Sequence, residues 1–155
     1  TMSNFTFGNA RHQYYETIGG GSGAGPGFDG TAVVQTHMTN SRLTDPEVLE
    51  FRYPVRLESY AIRTGSGGAG RWTGGDGGVR RIRFLEPMTA SILSNGSVVP
   101  SFGIDGGRPG AVSVNRVERA DGRVEALGAC ATVEMAPGDV FVVETPGGGG
   151  CGRPE

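Results

Sequence analysis

The 155-residue sequence contains no lysine, and all 14 of its basic residues are arginine. This absence excludes a P-loop, which needs a lysine beside the nucleotide phosphates, and it excludes Schiff-base catalysis, which needs a lysine amine. The net charge is −2, with the arginines scattered among 16 acidic residues. Because no basic stripe is present, we expect no nucleic-acid binding.

Long apolar runs and cysteines are also scarce. No stretch approaches the roughly 20 apolar residues of a membrane-spanning helix, so we expect no membrane association. Two cysteines, Cys130 and Cys151, are too few for a disulfide framework, which favours the reducing cytoplasm. We expect Cys130 to be buried and Cys151 to be a loop thiol.

Glycine, in contrast, is abundant and clustered. Twenty of the 29 glycines lie in the stretches 19–30, 65–78 and 147–152, which we interpret as glycine-dense loops of a globular domain. Between these loops, β-prone segments and turns predict a single domain over residues 1–155, a mainly β barrel or sandwich. The predicted strands are 11–18, Val55–Arg63 with a bulge near Ser59, 79–85, 89–93, a hairpin turning at Asp121-Gly122, and a last pair, 132–135 and 140–144, joined by the turn 136–139.

One short helix is predicted near residues 45–52. Thr44 and Glu47 have the spacing of a capping box, and Pro46 is suited to the first turn. Pro54 ends the helix within about two turns.

The pattern G-x-G-x-x-G occurs at 25–30 and 65–70, but no predicted helix follows either copy. Without a helix N-terminus to face a pyrophosphate, we do not expect a dinucleotide site. An anion-binding nest of backbone amides within 19–25 stays open.

The densest polar segment is 36–50. His37 titrates near neutrality and is a candidate base, whereas Asn40 and Arg42 are candidates for holding a phosphate or carboxylate. The alternative is that the charged residues form caps and ion pairs while His37 is a buried, hydrogen-bonded histidine. Glu16, where a strand enters a glycine loop, is a second candidate base or an edge-strand charge. No metal site is predicted.

Several strings together resemble the C-terminal part of the hydantoinase B/oxoprolinase family. They follow one another in order along the whole chain, and the most specific is HMTNSRLTDPEVLE at 37–50. The others are residues 1–9, 14–25, GGDG at 74–77, PGD at 137–139 and TPGGGGCG at 145–152.

The resemblance implies an ATP-dependent cyclic-amide hydrolase. In such enzymes a hydantoinase A-type subunit phosphorylates the substrate, and the B-type partner completes the hydrolysis. By this analogy His37 or Glu16 is the base, Asn40 and Arg42 hold the anion, and Asp45 is an orienter or metal partner. ATP and a divalent metal are expected in the full complex, and none is expected to bind this chain alone.

The resemblance also implies that the chain is a C-terminal portion of a longer B-type polypeptide, inactive by itself, in a cytoplasmic hetero-oligomer. Its substrate would be a hydantoin, 5-oxoproline or another lactam. Two alternatives stay open: a non-catalytic docking domain of the same complex, and a part of an ATP-dependent ketone carboxylase.

Overall fold

A computed structural model describes residues 2–36 and 39–154. Within these residues nine strands and one helix follow one another along the chain. They are β1 (Met2–Gly8), β2 (Gln13–Gly19), α1 (Pro46–Arg52), β3 (Val55–Arg63), β4 (Gly77–Phe84), β5 (Met88–Ser94), β6 (Val114–Glu118), β7 (Val124–Leu127), β8 (Cys130–Met135) and β9 (Val140–Glu144). The predicted helix is confirmed, and the predicted strands appear with shifts of a few residues at their ends.

The strands form two antiparallel sheets. One has four strands in the order β2-β1-β5-β8, and the other has five in the order β3-β4-β9-β6-β7. In the described residues the two sheets stay separate, so the fold is a sandwich rather than a barrel. The mainly β prediction is therefore confirmed.

The core lies between the sheets, where alternate side chains of each strand point inward. Phe5 and Phe7 of β1 meet Phe141 of β9 and Phe84 of β4, with ring centroids 4.7 Å apart for Phe5–Phe141 and 5.4 Å for Phe7–Phe84. All four rings are buried. Strand β1 was not predicted, although its alternation of Phe5 and Phe7 with polar residues is a strand signal.

Two local predictions in the five-stranded sheet are confirmed. The register between β3 and β4 shifts between Leu57 and Ser59, which is the predicted bulge. The hairpin of β6 and β7 turns at Asp121-Gly122, where Gly122 adopts a φ of 88° that favours glycine.

The turn 136–139 has a different role from the predicted one. It joins β8 to β9, but these strands belong to different sheets and do not pair with each other. Asp139 holds the corner, because its carboxylate accepts the backbone N–H groups of Ala136 and Ala120 and a guanidinium N–H of Arg119. Burial alone would raise the pKa of Asp139, but these hydrogen bonds together lower it.

The prediction that Cys130 is buried is wrong, whereas Cys151 lies in a loop, as predicted. Cys130 is exposed on the edge strand β8, whereas Cys151 is fully buried. The backbone of Cys151 pairs with that of Trp72 in another glycine-dense loop. Separately, no helix in the described part of the chain is long and apolar enough to span a membrane.

Candidate functional site

Residues 33–36 and 39–45, which we call the crossing segment, lie beside β2 and reach β3. Backbone hydrogen bonds fix the start of the segment: Val34 N–H donates to the carbonyl oxygen of Gly20 at 3.0 Å. The side-chain amide of Gln35 donates to the carbonyl oxygen of Thr17 at 2.8 Å. The end of the segment is fixed by the Thr44 hydroxyl, 2.9 Å from the hydroxyl of Tyr14 in β2.

Asn40 and Arg42 both line a groove of about 380 Å³ between the crossing segment and the sandwich. Gly19 of β2 and Tyr60 of β3 form the opposite wall. Asn40 and Arg42 are exposed, and Arg42 forms no ion pair within the described residues. An unpaired guanidinium beside an amide can hold a carboxylate or phosphate through charge-assisted hydrogen bonds.

Glu16 lies between the sheets rather than in the groove. The guanidinium of Arg80, from β4, donates to both carboxylate oxygens of Glu16, at 2.6 and 2.9 Å. Both side chains are almost fully buried. Because the carboxylate is already held on both oxygens, a role as base would require Arg80 to release it.

Two tyrosines enclose this ion pair. The Tyr14 hydroxyl donates to Glu16 Oε2 at 2.9 Å, and the ring of Tyr60 lies 5.3 Å from the guanidinium of Arg80. Burial, assisted by the Glu16 carboxylate and opposed by the Thr44 hydrogen bond, raises the pKa of Tyr14 to about 12. Burial also raises the pKa of Tyr60. Both tyrosines are therefore neutral at physiological pH.

Asp45 caps helix α1. Its carboxylate accepts the backbone N–H of Glu47 at 3.0 Å, so Asp45, rather than the predicted Thr44, is the N-cap residue. The hydroxyl of Thr44 instead lies 2.9 Å from the hydroxyl of Tyr14. Asp45 is exposed. The roles predicted for it as an orienter or metal partner stay predictions.

His37 lies outside the described residues. Its role as a base therefore also stays a prediction. Among residues 2–36 and 39–154, no group of three histidine, cysteine, aspartate or glutamate side chains is placed to hold a metal ion.

The glycine-dense loops pack backbone against backbone. We call residues 20–25, 66–75 and 146–152 the glycine layer. Gly148 is at its centre: its N–H donates to the carbonyl oxygen of Gly75 at 2.9 Å, and its own carbonyl accepts from Gly68 N–H at 2.8 Å. A Cβ on Gly148 would overlap the carbonyl oxygen of Ser22, so only glycine allows this approach.

The backbone geometry does not favour the anion nest that the sequence leaves open within 19–25. The backbone N–H groups of Ser22, Ala24 and Gly25 already donate to the carbonyl oxygens of Thr31, Gly149 and Phe28. These amides are part of the glycine layer and do not converge on a free anion site.

A second cavity, of about 620 Å³, opens between the glycine layer and the crossing segment. Its volume lies within the range of small-molecule sites. The residues that line it are uncharged and include the hydroxyl-bearing Ser22, Thr36 and Ser101 and the apolar Phe102 and Ile104. Sequence reasoning missed this cavity. The four consecutive glycines at 147–150 were the available signal, because three of them form one wall.

The sequence profile of the hydantoinase B/oxoprolinase family matches residues 1–154. The chain belongs to this family. It is 49% identical over 151 residues to 5-oxoprolinase 1 of Arabidopsis thaliana, and the aligned region covers 97% of this chain and 12% of that relative. A 5-oxoprolinase of Dictyostelium discoideum is 44% identical, and the aligned region covers 98% of this chain and 12% of the relative. The B-type chain of a putative D-/L-hydantoinase from a Pseudomonas species is 28% identical, with 91% and 24% coverage.

Two solved structures of larger proteins share the fold of this hydantoinase B/oxoprolinase chain. An ATP-dependent caprolactamase from Pseudomonas jessenii superposes with a TM-score of 0.75 at 24% identity, covering 97% of this chain and 28% of that one. A nucleotide-free acetone carboxylase gives a TM-score of 0.80 at 18% identity, with 97% and 25% coverage. At these identities the likeness shows the fold alone. The chain spans about an eighth of the length of the 5-oxoprolinases it matches.

Proposed function

We propose that this chain is a β-sandwich domain of the B component of an ATP-dependent cyclic-amide hydrolase that opens 5-oxoproline. The observation that carries the proposal is the match along almost the whole chain to 5-oxoprolinase 1, at 49% identity. The hydantoinase relative matches at 28%, so 5-oxoproline is preferred to a hydantoin. Because Cys130 and Cys151 are both free thiols, we place the enzyme in the cytoplasm.

The chemistry requires a division of labour. A lactam carbonyl is a poor electrophile, and transfer of a phosphoryl group from ATP to its oxygen creates a leaving group for attack by water. This chain has no lysine and therefore no P-loop, so an A-type partner carries out the ATP-dependent step. The described residues do not fit a metal ion, so we place the divalent metal outside this domain as well.

We assign the groove to the substrate anion. 5-Oxoproline carries a carboxylate, and its activated form also carries a phosphoryl group. The exposed Arg42 and Asn40 lie in one groove and offer a guanidinium fork and an amide to either group. Since Arg80 holds Glu16, we assign the base that activates water to His37, and we assign Asp45 to orienting the segment that follows Arg42.

Substitutions in the intact complex test these assignments. Arg42→Ala should lower kcat/KM for 5-oxoproline by about 10- to 100-fold, which corresponds to losing one charge-assisted hydrogen bond. His37→Ala should uncouple the two steps, so that ATP is cleaved while little glutamate is formed. The matched control is Arg52→Ala, because Arg52 is an exposed arginine in the last turn of α1 and lies outside the groove.

The assembly state separates this proposal from a docking role. Size-exclusion chromatography should show intact complexes for Arg42→Ala and His37→Ala. Loss of assembly would support the alternative that the chain is a non-catalytic docking domain, an alternative favoured by the high exposure of apolar side chains such as Phe51 at 91% and Val98 at 87%. Unchanged turnover in both variants would contradict the site assignment.

The likeness to acetone carboxylase supports a second candidate reaction, carboxylation of a ketone. ATP cleavage that depends on bicarbonate and a ketone, and not on 5-oxoproline, would favour it.

A further inference from the structure

The outer face of the four-stranded sheet is a polar surface almost without charge. The positions that alternate with the core residues of β1, β2, β5 and β8 form three rows of four on this face, and one of the twelve is Gly8. The middle row, for example, contains Tyr15, Thr6, Ser91 and Thr132. Within these described strands the only charged side chain on the face is Glu134, at the edge in β8.

Several polar groups of this face bond to one another. The Tyr15 hydroxyl donates to Asn4 Oδ1 at 2.9 Å, and the hydroxyls of Ser91 and Thr132 lie 2.9 Å apart. Because these bonded groups already have partners, a protein surface that covers them leaves fewer polar atoms unsatisfied than it would on a face of free polar groups. The hydrogen bonds also fix the side-chain rotamers, so little conformational entropy remains to be lost on contact.

The outer face of the five-stranded sheet has the opposite character. Arginines of β4 pair with carboxylates there: Arg81 with Glu118 at 2.6 Å, and Arg83 with Glu58 at 2.6 Å. Covering these ion pairs would cost desolvation energy that their attraction does not fully return. The two outer faces of one sandwich therefore differ in whether a partner can cover them cheaply.

Apolar side chains and surface shape also favour contact on the outer face of the four-stranded sheet. Tyr15 is 60% exposed and Leu93 is 56% exposed. Two shallow grooves, of about 500 and 560 Å³, lie on the face and share Thr6, Tyr15 and Ser91. Exposed tyrosine and a depletion of charge are the features that distinguish the centre of protein interfaces from other surface.

We propose that this face docks a neighbouring segment of the same, longer polypeptide, and that the segment is uncharged where it meets Tyr15 and Leu93. The proposal rests on the proposed function for the existence of that polypeptide, since the chain covers only 12% of the Arabidopsis 5-oxoprolinase. Three rows on four strands measure about 19 by 20 Å, or about 400 Å². Two copies meeting there would bury about 800 Å² in total, less than stable dimers need, whereas a tethered segment is already at high effective concentration.

Thiol labelling of the intact parent protein tests the proposal without changing the face. Cys130 lies on the outer face of the four-stranded sheet and is exposed in this chain. The matched control is Val124→Cys, because Val124 is 64% exposed on β7, the edge strand of the other sheet. Maleimide labelling followed by peptide mass spectrometry should modify Cys130 at least about tenfold more slowly than the control thiol, since access requires local opening.

Each outcome of the labelling decides the proposal. Equal rates at Cys130 and at the control thiol, whether fast or slow, would overturn it. Protection that disappears on dilution would also overturn it, because that result identifies a second copy as the occupant. Ser91→Arg should restore rapid labelling of Cys130, whereas Ala126→Arg on β7 should not; continued protection in the Ser91 variant contradicts docking at this face.

Labelling requires no turnover, so the two proposals can fail separately. If the parent protein protects Cys130 but does not open 5-oxoproline, the docking proposal is supported and the proposed function is contradicted. A parent protein that opens 5-oxoproline but labels both thiols equally refutes the docking face alone.

Discussion

Two regions of the molecule are packed in different ways. Between the sheets, side chains fill the interior, as where the rings of Phe5 and Phe141 lie 4.7 Å apart. In the glycine layer, backbone contacts backbone, and Gly148 lies against the carbonyl of Ser22 with no side chain between them. A side chain can rotate to accommodate a change, whereas a hydrogen-bonded backbone cannot. Small changes should therefore be far more damaging in the glycine layer.

The largest effect is expected for Gly148→Ala. The added Cβ would overlap the carbonyl oxygen of Ser22, and backbone hydrogen bonds hold both segments of the chain in place there. We expect a loss of at least about 4 kcal/mol in the free energy of unfolding, a large part of the roughly 5–15 kcal/mol stability of a typical domain. Urea unfolding followed by circular dichroism measures the loss.

Gly23→Ala is the matched control in the same layer. A Cβ at Gly23 would have only an ordinary contact, 3.9 Å from the carbonyl oxygen of Gly149. We expect a change within about 0.5 kcal/mol. If Gly148→Ala proved as mild as Gly23→Ala, the contrast between the two regions would be wrong.

The next largest loss of stability is expected when the one buried ion pair of the described sandwich interior is broken. Arg80→Met should cost about 3–5 kcal/mol, because it leaves the Glu16 carboxylate buried without its charged partner. The control Arg81→Met removes a partly exposed pair on the other face of β4 and should cost about 1 kcal/mol or less. The double variant Glu16→Leu with Arg80→Met should recover most of the loss. A double variant as unstable as the single one would contradict a charge-based cause.

Arg80 shows how far the sequence could be interpreted. In a strand of period two, Arg80 falls on the same face as Ile82 and Phe84, so the pattern itself places an arginine toward the core. A buried arginine requires a carboxylate, but the partner, Glu16, is 64 residues away in the other sheet. Local pattern therefore predicts the strand and its orientation, and only the packing of two sheets identifies the pair.

The same limit applies to the turns and to the site. Composition predicts a turn at 136–139, but whether the next strand stays in the sheet depends on non-local pairing, and here it changes sheets. Asn40 and Arg42 are predicted from their chemistry, and the structure shows that they line one groove. For the cavity beside the glycine layer, the glycines at 147–150 indicate one wall, but the complete cavity depends on packing of four loops distant in sequence.

A smaller effect is expected in the aromatic core. Phe5→Leu removes part of a ring that is 1% exposed, and the neighbouring side chains can shift toward the space. We expect a loss of about 1–2 kcal/mol, well below that of Gly148→Ala. Phe51→Leu is the control, since Phe51 is 91% exposed and should change stability by less than about 0.5 kcal/mol. A loss for Phe5→Leu equal to that of Gly148→Ala would remove the distinction between the two kinds of packing.

The smallest effect at neutral pH is expected for Tyr14→Phe, where the sandwich meets the crossing segment. The variant loses one hydrogen bond to Glu16, worth about 1 kcal/mol. The pH dependence is more specific: the folded state raises the pKa of Tyr14 to about 12 from 10.0. The stability due to the protonated hydroxyl is therefore complete below about pH 10 and is lost as the pH rises toward about 12. In a Tyr60→Phe background, which removes the other tyrosine whose pKa is raised by burial, alkaline titration of tyrosinate absorbance should show a step near pH 12. That step should be absent when Tyr14→Phe is added and present when the control Tyr15→Phe is added. A step that survives in Tyr14→Phe would mean that the hydroxyl between Glu16 and Thr44 is not the buried group.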